Sequence, residues 1–539
     1  MKLTITALKK VVRFSEKHEK LLVLLLLPVY LFPIWYHDYF PTLDTPAHIY
    51  NANVLWNIWF GDHQIYNHYF ESNHWHNPNW ISQPLLAILT QVFNTIICEK
   101  IILSLYIVGF VLAFRSMMLQ MNPITPLLSL LGFVFVYNNT FMMGFLNYNF
   151  GIVFLFLSIA SLLRFYTKQK TANAFWLFFC LTALFYSHLV MFCVFGLFVV
   201  AFFITTMMRD YLNHEKIWFC NTRTFMSLLL SSAIPIALLI VYFINSKGDE
   251  GILFFTPAKI IEDILRQAGS LSISTNEKVY LRWNWIVPLL GLCIAISATV
   301  LAKRWSGKNE SWWKPTFNEA IILLFVLFIL VAIFILPDST AGGSGLLTDR
   351  LIFQVTTFFF LSVLLSFRKK LILIPILVVL SYVSVDRLFF IHREMFHFQK
   401  TCSNMMQSAT KMTEGGCIAF FNFSNKWLAQ HYVSHIAAQK NLMVLDNWSD
   451  KSYNSVRWKG SWINSRELLC WQDQQWKCNL FESERLLNEK IRWFLIVNDD
   501  KLEFESANCL IDWPTFLRDS CNVVHRSGTD VVLYKRNGM

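Results

Sequence analysis

"LLVLLLLPVYLFPIWY", residues 21–36, decides the fold class. Lys9, Lys10, Arg13 and Lys20 precede it, and it runs straight into "HDYF" at 37–40 with no small-residue cleavage site. Sixteen uncharged, mostly apolar residues have the reach of a bilayer-spanning helix. The stretch therefore reads as a retained first membrane helix with a cytoplasmic N-terminus, not as a cleaved signal peptide.

Stretches of the same kind recur along the chain. Of its 539 residues, 55% are hydrophobic and 15% charged, with 50 Phe and 20 Trp, more apolar surface than a soluble domain of this length can hide from water. This composition predicts a polytopic α-helical membrane protein. The net charge of +11 sits largely in short loops between apolar stretches. That is the positive-inside pattern, so it implies membrane lipids as partners and requires no nucleic acid.

The charges also dictate a topology. From His37 to Glu99 there is no Lys or Arg, which places 37–99 on the non-cytoplasmic side. A span from Lys100 runs inward to Arg115. "PLLSLLGFVFVYNNTFMM" at 126–143 is then expected to cross outward and 145–163 to return to Arg164. Further crossings are expected at 174–190, 191–208, 225–244, 285–302, 320–336, 351–367 and 371–385. About eleven spans result, forming a transmembrane region over 1–388 and leaving 389–539 outside as a small α/β domain. In that tail "GCIAFF", "NLMVLD", "RWFLIV" and "DVVLYKR" have strand character, and "SERLLNEKI" that of a helix. Its six cysteines (Cys402, Cys417, Cys470, Cys478, Cys509 and Cys521) suit an oxidising compartment, with sequential pairing the simplest of the possible disulfide patterns. "NFS" at Asn422 and "NWS" at Asn447 fit the glycosylation triplet.

Chemistry concentrates in the first outer loop. The window 37–99 holds six of the fourteen histidines (His37, His48, His63, His68, His74 and His76), together with Asp38, Asp44, Asp62 and Glu71. "HIYNANVLWNIWF" and "NWISQPLLAILTQVF" read as two interfacial helices, whose packing on a membrane core would form a cleft at the bilayer surface. An Asp there can accept the proton of an attacking hydroxyl. Cationic groups at the outer ends of spans can stabilise a departing phosphate, and Arg282, Arg350 and His188 are the candidates.

These features resemble the GT-C superfamily of integral-membrane glycosyltransferases, relatives of the aminoarabinose transferases and protein O-mannosyltransferases. In that superfamily the first outer loop opens with an acidic motif, often Asp-Glu-x-x-Tyr or His; here it reads Asp44-Thr45-Pro46-Ala47-His48. Further along such loops a Lys-Pro-Pro-Leu motif starts a second interfacial helix; here it reads Ser82-Gln83-Pro84-Leu85-Leu86. A charged residue then opens the second span, as Glu99 and Lys100 would. Thr45 stands in place of the second acid and Gln83 in place of the lysine.

The resemblance implies an inverting transfer from a polyprenyl-phosphate-linked sugar donor to a glycan, lipid or protein acceptor. Asp44 would be the base, with His48 and Gln83 contacting substrate; no cofactor and no metal-ligating residues are assigned. A bacterial inner membrane, with a periplasmic C-terminal domain, is the implied setting.

Each residue also has a structural alternative. Asp44 before Thr45-Pro46 can simply cap a helix. Arg350 can anchor its helix through Asp349, His188 can be a hydrogen-bonded histidine at a helix turn, and His74-Trp75-His76 with Glu71 lacks zinc spacing. Two other classes compete with the enzyme reading. A lipid or solute transporter predicts paired, interrupted helices in two related halves, and the prolines Pro28, Pro33, Pro235 and Pro375 show no such pairing. A non-catalytic scaffold predicts an outer domain that binds a partner.

Overall fold

The computed structural model describes residues 13–212, 222–245, 252–269, 317–340, 347–366, 370–445, 455–459, 471–472, 475–476, 484–498 and 512–539, apart from the single positions 62, 122, 425, 486 and 529. Among them seven helices are long and apolar enough to cross a membrane: Glu19–Tyr36, Thr95–Gln120, Leu146–Lys168, Leu189–Leu212, Thr222–Asn245, Phe317–Ile335 and Leu347–Leu365. Thr171–Ser187 is a shorter apolar helix, and Lys370–Ala409 runs without a break from the expected last span into the tail. The chain is thus a polytopic helical membrane protein with a C-terminal sheet-containing domain. The span expected at 285–302 lies outside the described residues.

The stretch 126–143 is not the straight span its apolarity predicts. It forms a 3-10 segment Pro126–Leu131, a short helix Gly132–Phe135 and a single turn Asn139–Met142. The physical reason lies in its polar side chains, which compete for backbone groups. Asn138 Nδ2 donates to Phe135 O at 3.2 Å and to the Tyr106 hydroxyl at 3.0 Å, and Asn149 Nδ2 donates to Thr140 O at 3.0 Å. Gly144, at φ +70°, then turns the chain into the next helix.

The chain divides into two compact units. The first comprises Met1–Tyr30, Tyr106–Thr140 and Tyr148–Leu388. In it, the Arg115 guanidinium grips Glu19 in a fork, Nε to Oε1 at 2.9 Å and Nη2 to Oε2 at 2.8 Å, and the Ser129 hydroxyl donates to the same carboxylate. The Glu19 side chain is 5% exposed, so removing its charge strands the arginine. Glu19→Ala is expected to lower stability by about 2–3 kcal/mol, read as the thermal midpoint of the purified protein.

The second unit comprises Leu31–Leu105, Phe141–Asn147 and Phe389–Met539, and so holds the first outer loop together with the C-terminal domain. Its five-stranded sheet runs in the order Cys521–Ser527, Val531–Arg536, Ile491–Val497, Cys417–Asn422, Met443–Val444. The first two junctions are antiparallel and the last two parallel. Cys417–Asn422 is buried along its whole length, as a central strand covered on both faces should be.

The helix Val433–Lys440 connects the parallel pair and ends on Asn441 in the left-handed region (φ 51°), a C-terminal cap that asparagine tolerates. The helix Trp513–Ser520 covers the sheet with a buried Trp513, its ring 4.9 Å from Phe421 and 6.0 Å from Phe494. In the remaining expected helix, Glu484, Arg485 and Leu487 are helical. Among the described residues Cys402, Cys417 and Cys521 are unbridged, so the simplest pairing, Cys402 to Cys417, is absent; Cys470, Cys478 and Cys509 lie outside them. Asn422 is buried and its Oδ1 accepts from the Ser424 amide at 3.0 Å, so this triplet is a turn built into the fold.

Candidate active site

The loop helix Thr45–Phe60 lies in the core of the second unit. Ile49, Tyr50, Ala52, Val54 and Leu55 are wholly buried, and the helix packs on both Ser82–Val92 and Val433–Lys440. Its polar groups find backbone partners in the C-terminal domain. The Tyr50 hydroxyl donates to Leu442 O at 3.0 Å and Asn53 Nδ2 to Ala438 O at 3.3 Å. Ser82–Val92 is two-faced, burying Ser82, Gln83, Leu86 and Ala87 while Ile88 and Val92 stay exposed.

Asp44 occupies the N-cap position of the Thr45–Phe60 helix, with proline in the first turn, yet its carboxylate makes no cap hydrogen bond. Its backbone is fixed on both sides: its N–H donates to Met143 O at 3.1 Å and its carbonyl accepts from the His48 N–H at 3.1 Å. The side chain is 24% exposed, and Oδ1 lies 3.8 Å from Nε2 of His431. That separation is too long for a hydrogen bond.

One turn along, His48 Nδ1 is 3.2 Å from Gln83 Nε2. An amide donating to Nδ1 suits a neutral imidazole carrying its proton on Nε2. Gln83 Oε1 is buried and has no donor among the described residues. Asp44, His48 and Gln83, all named from the sequence, thus lie close together, and His431 joins them from the C-terminal domain.

A second, deeper group sits behind them in the same unit. Glu99 Oε1 accepts from the Thr42 hydroxyl at 2.9 Å and the Thr42 N–H at 3.2 Å, while Oε2 lies 3.0 Å from Nε2 of His435. The neighbouring Lys100 Nζ donates to His37 O at 2.6 Å. His37 in turn receives Gln399 Nε2 on its Nδ1 at 2.7 Å and meets His392 through Nε2 at 3.0 Å.

Burial, with a further push from His431 on His48 and from His392 on His37, lowers both imidazoles to about 4. Both therefore stay neutral in the fold while the same groups in the unfolded chain protonate near their ordinary value. Stability should fall as pH drops from about 6.5 toward 4, and these two groups should add no further loss below that. Thermal midpoints across this range test the effect, and His48→Gln should flatten the slope.

The other two described candidates lie in the first unit. Arg350 sits over the Tyr148 ring at 5.8 Å, and the Tyr148 hydroxyl donates to Arg350 O at 2.5 Å. His188 packs edge-on against the same ring at 5.3 Å, with its Nδ1 buried and without a hydrogen-bond partner among the described residues. Gln354 Nε2 donates to the Tyr148 hydroxyl at 3.3 Å. Arg282 lies outside the described residues. Among the described residues no three His, Cys, Asp or Glu side chains are grouped to hold a metal ion.

His431 and His435 escaped the sequence reading, although "HYVSH" at 431–435 carries two imidazoles at helical spacing. Tyr148 and Gln354 look like ordinary polar residues of apolar helices and give no comparable signal.

No protein-family model and no curated protein sequence matches the chain. Among solved structures, it is similar to the Archaeoglobus fulgidus oligosaccharyltransferase tethered with an acceptor peptide containing the NVT sequon. That likeness has TM-score 0.48 and 11% identity, over 97% of this chain and 75% of that one. It is also similar to the arabinofuranosyltransferase AftD from Mycobacteria, with TM-score 0.45 and 8% identity, over 96% of this chain and 40% of that one.

Proposed function

We propose that this protein is an integral-membrane glycosyltransferase of GT-C type that transfers a sugar from a polyprenyl-phosphate donor to a glycan, lipid or protein acceptor, with inversion. The observation that carries the reading is the Asp44 carboxylate: held on a fixed backbone, partly exposed, unused as a helix cap and beside an imidazole. A general base needs this combination of a defined position and an open face.

In the reaction, Asp44 takes the proton of the acceptor hydroxyl as that oxygen attacks the anomeric carbon. The bond from that carbon to the phosphate oxygen breaks, its electron pair leaves with the polyprenyl phosphate, and the configuration inverts. Gln83 Oε1 and His48 suit sugar hydroxyls. The departing phosphate calls for a cation, and Arg350, His188 and Arg282 are the candidates that the sequence offers. The setting is the outer face of a bacterial inner membrane, with the N-terminus cytoplasmic and residues 389–539 periplasmic.

The test is turnover by the full-length protein in nanodiscs. Labelled polyprenyl-phosphate sugars are offered with candidate acceptors, and released polyprenyl phosphate is measured beside the glycosylated product. Stoichiometric release and transfer is the expected result. Turnover no higher than in empty nanodiscs across the donor panel, with lipid or solute movement in vesicles instead, would replace the enzyme with a transporter.

A further inference from the structure

Behind Asp44 the second unit contains a closed ring of contacts, and its buried part has no role in the proton transfer itself. Starting from Glu99, the ring passes through the two Thr42 bonds and two residues on to Asp44. It crosses to His431 at 3.8 Å, follows the chain one turn to His435, and returns to Glu99 at 3.0 Å. The turn between the histidines is itself hydrogen-bonded, Ser434 N–H to His431 O at 3.0 Å and His435 N–H to Tyr432 O at 3.1 Å. The His435 ring also packs on Tyr432 at 4.8 Å.

The side chains of Glu99 and His435 are 2% and 0% exposed. A carboxylate taken this far out of water is costly and weakly stabilising, so its presence calls for a reason other than stability. Three segments distant in sequence meet on it: the loop carrying Asp44, the start of the second span and the C-terminal domain. Loosening either its Thr42 or its His435 bond frees one side of the gap between Asp44 and His431.

We infer that Glu99 and His435 are positioning residues that set the distance between Asp44 and His431, so that the C-terminal domain completes the active site through His431. This rests on the reading of Asp44 as the base. The charge borne by the ring is not what matters; its geometry is. A neutral pair of the same reach should therefore substitute for it.

The test has two arms in the full-length protein. In the kinetic arm, His435→Ala should lower kcat about 30-fold with the donor KM within about twofold, since small misplacements of a catalytic group act on kcat. The double replacement Glu99→Gln with His435→Gln restores an amide donor to an amide acceptor and should recover most of that loss. Thr42→Val, nearly isosteric, should lower kcat several-fold and provides the decision where His435→Ala fails to fold.

In the second arm, cysteines replace Asp44 and His431 and are joined by a short bis-methanethiosulfonate, with the linked peptides identified by mass spectrometry. Adding His435→Ala or Thr42→Val should slow the linkage about tenfold. Unchanged linkage overturns the positioning role whatever the kinetics show. Slowed linkage with unchanged kcat retains the ring but removes Asp44 as the base. A fall in kcat that the double amide variant does not recover overturns the geometric account.

Discussion

Asp44→Asn is expected to lower kcat for sugar transfer about 1,000-fold, within the range of positioned general bases, while the donor KM stays within about twofold. Asparagine has the same shape, and it caps helices as well as aspartate does. The carboxylate forms no cap bond in any case, so the substitution removes no cap and the thermal midpoint should move little. A structural role would give the opposite pattern, a lowered midpoint with little change in kcat at a permissive temperature.

An acceptor analogue with a thiol at the attacking position sharpens the test. A thiol ionises near pH 8.5, far more readily than an alcohol, and needs less help from a base. The thiol acceptor should therefore lose much less than the hydroxyl acceptor when Asp44 is replaced. Equal losses for both would mean that Asp44 contributes through binding or electrostatics, and a loss smaller than tenfold for the hydroxyl would remove it from the reaction.

The sequence made the membrane helices legible because the bilayer demands one simple property, apolar length, and residues such as Leu21–Tyr36 and Phe317–Ile335 have little else. It misled at 126–143, where apolarity hides the backbone partners that Asn138, Thr140 and Asn149 find. Asp44, His48 and Gln83 were legible as chemistry because polar groups stand out in an apolar loop. What they touch was not. Their neighbour His431, and the His435 that pairs with Glu99, come from a domain at the far end of the chain, and no local pattern predicts which face of the Val433–Lys440 helix meets the Asp44 loop. The helix Thr45–Phe60 shows the same gap. Its aromatic, apolar face is as suitable for lipid as for protein, and only the sheet domain's backbone acceptors, Leu442 O and Ala438 O, explain why Tyr50 and Asn53 sit where they do.

Gly144→Ala should be nearly as damaging as the loss of Asp44 itself, lowering kcat at least about 100-fold although no atom of Gly144 takes part in the chemistry. Two costs combine. At φ +70° an alanine is strained by about 1 kcal/mol relative to glycine. Its methyl group would also lie 2.6 Å from the Thr45 nitrogen and 2.7 Å from the Asp44 nitrogen. Those are backbone atoms, which cannot rotate aside as a flexible side chain would. The same segment holds Asp44 through the Met143 carbonyl and Leu43 through the Met142 carbonyl, so relieving the clash must stretch the bonds that fix the base. The control is Gly196→Ala, inside a long apolar helix where, beyond its own helix backbone, no described residue comes within 4 Å of the added methyl, which should leave kcat unchanged and raise stability slightly. Kinetics and thermal midpoints for the two variants separate displacement of the base from general fragility. A Gly144→Ala protein that stays folded with full kcat would show that the backbone position of Asp44 does not limit the reaction, and the assignment of Asp44 as the base would fall with it.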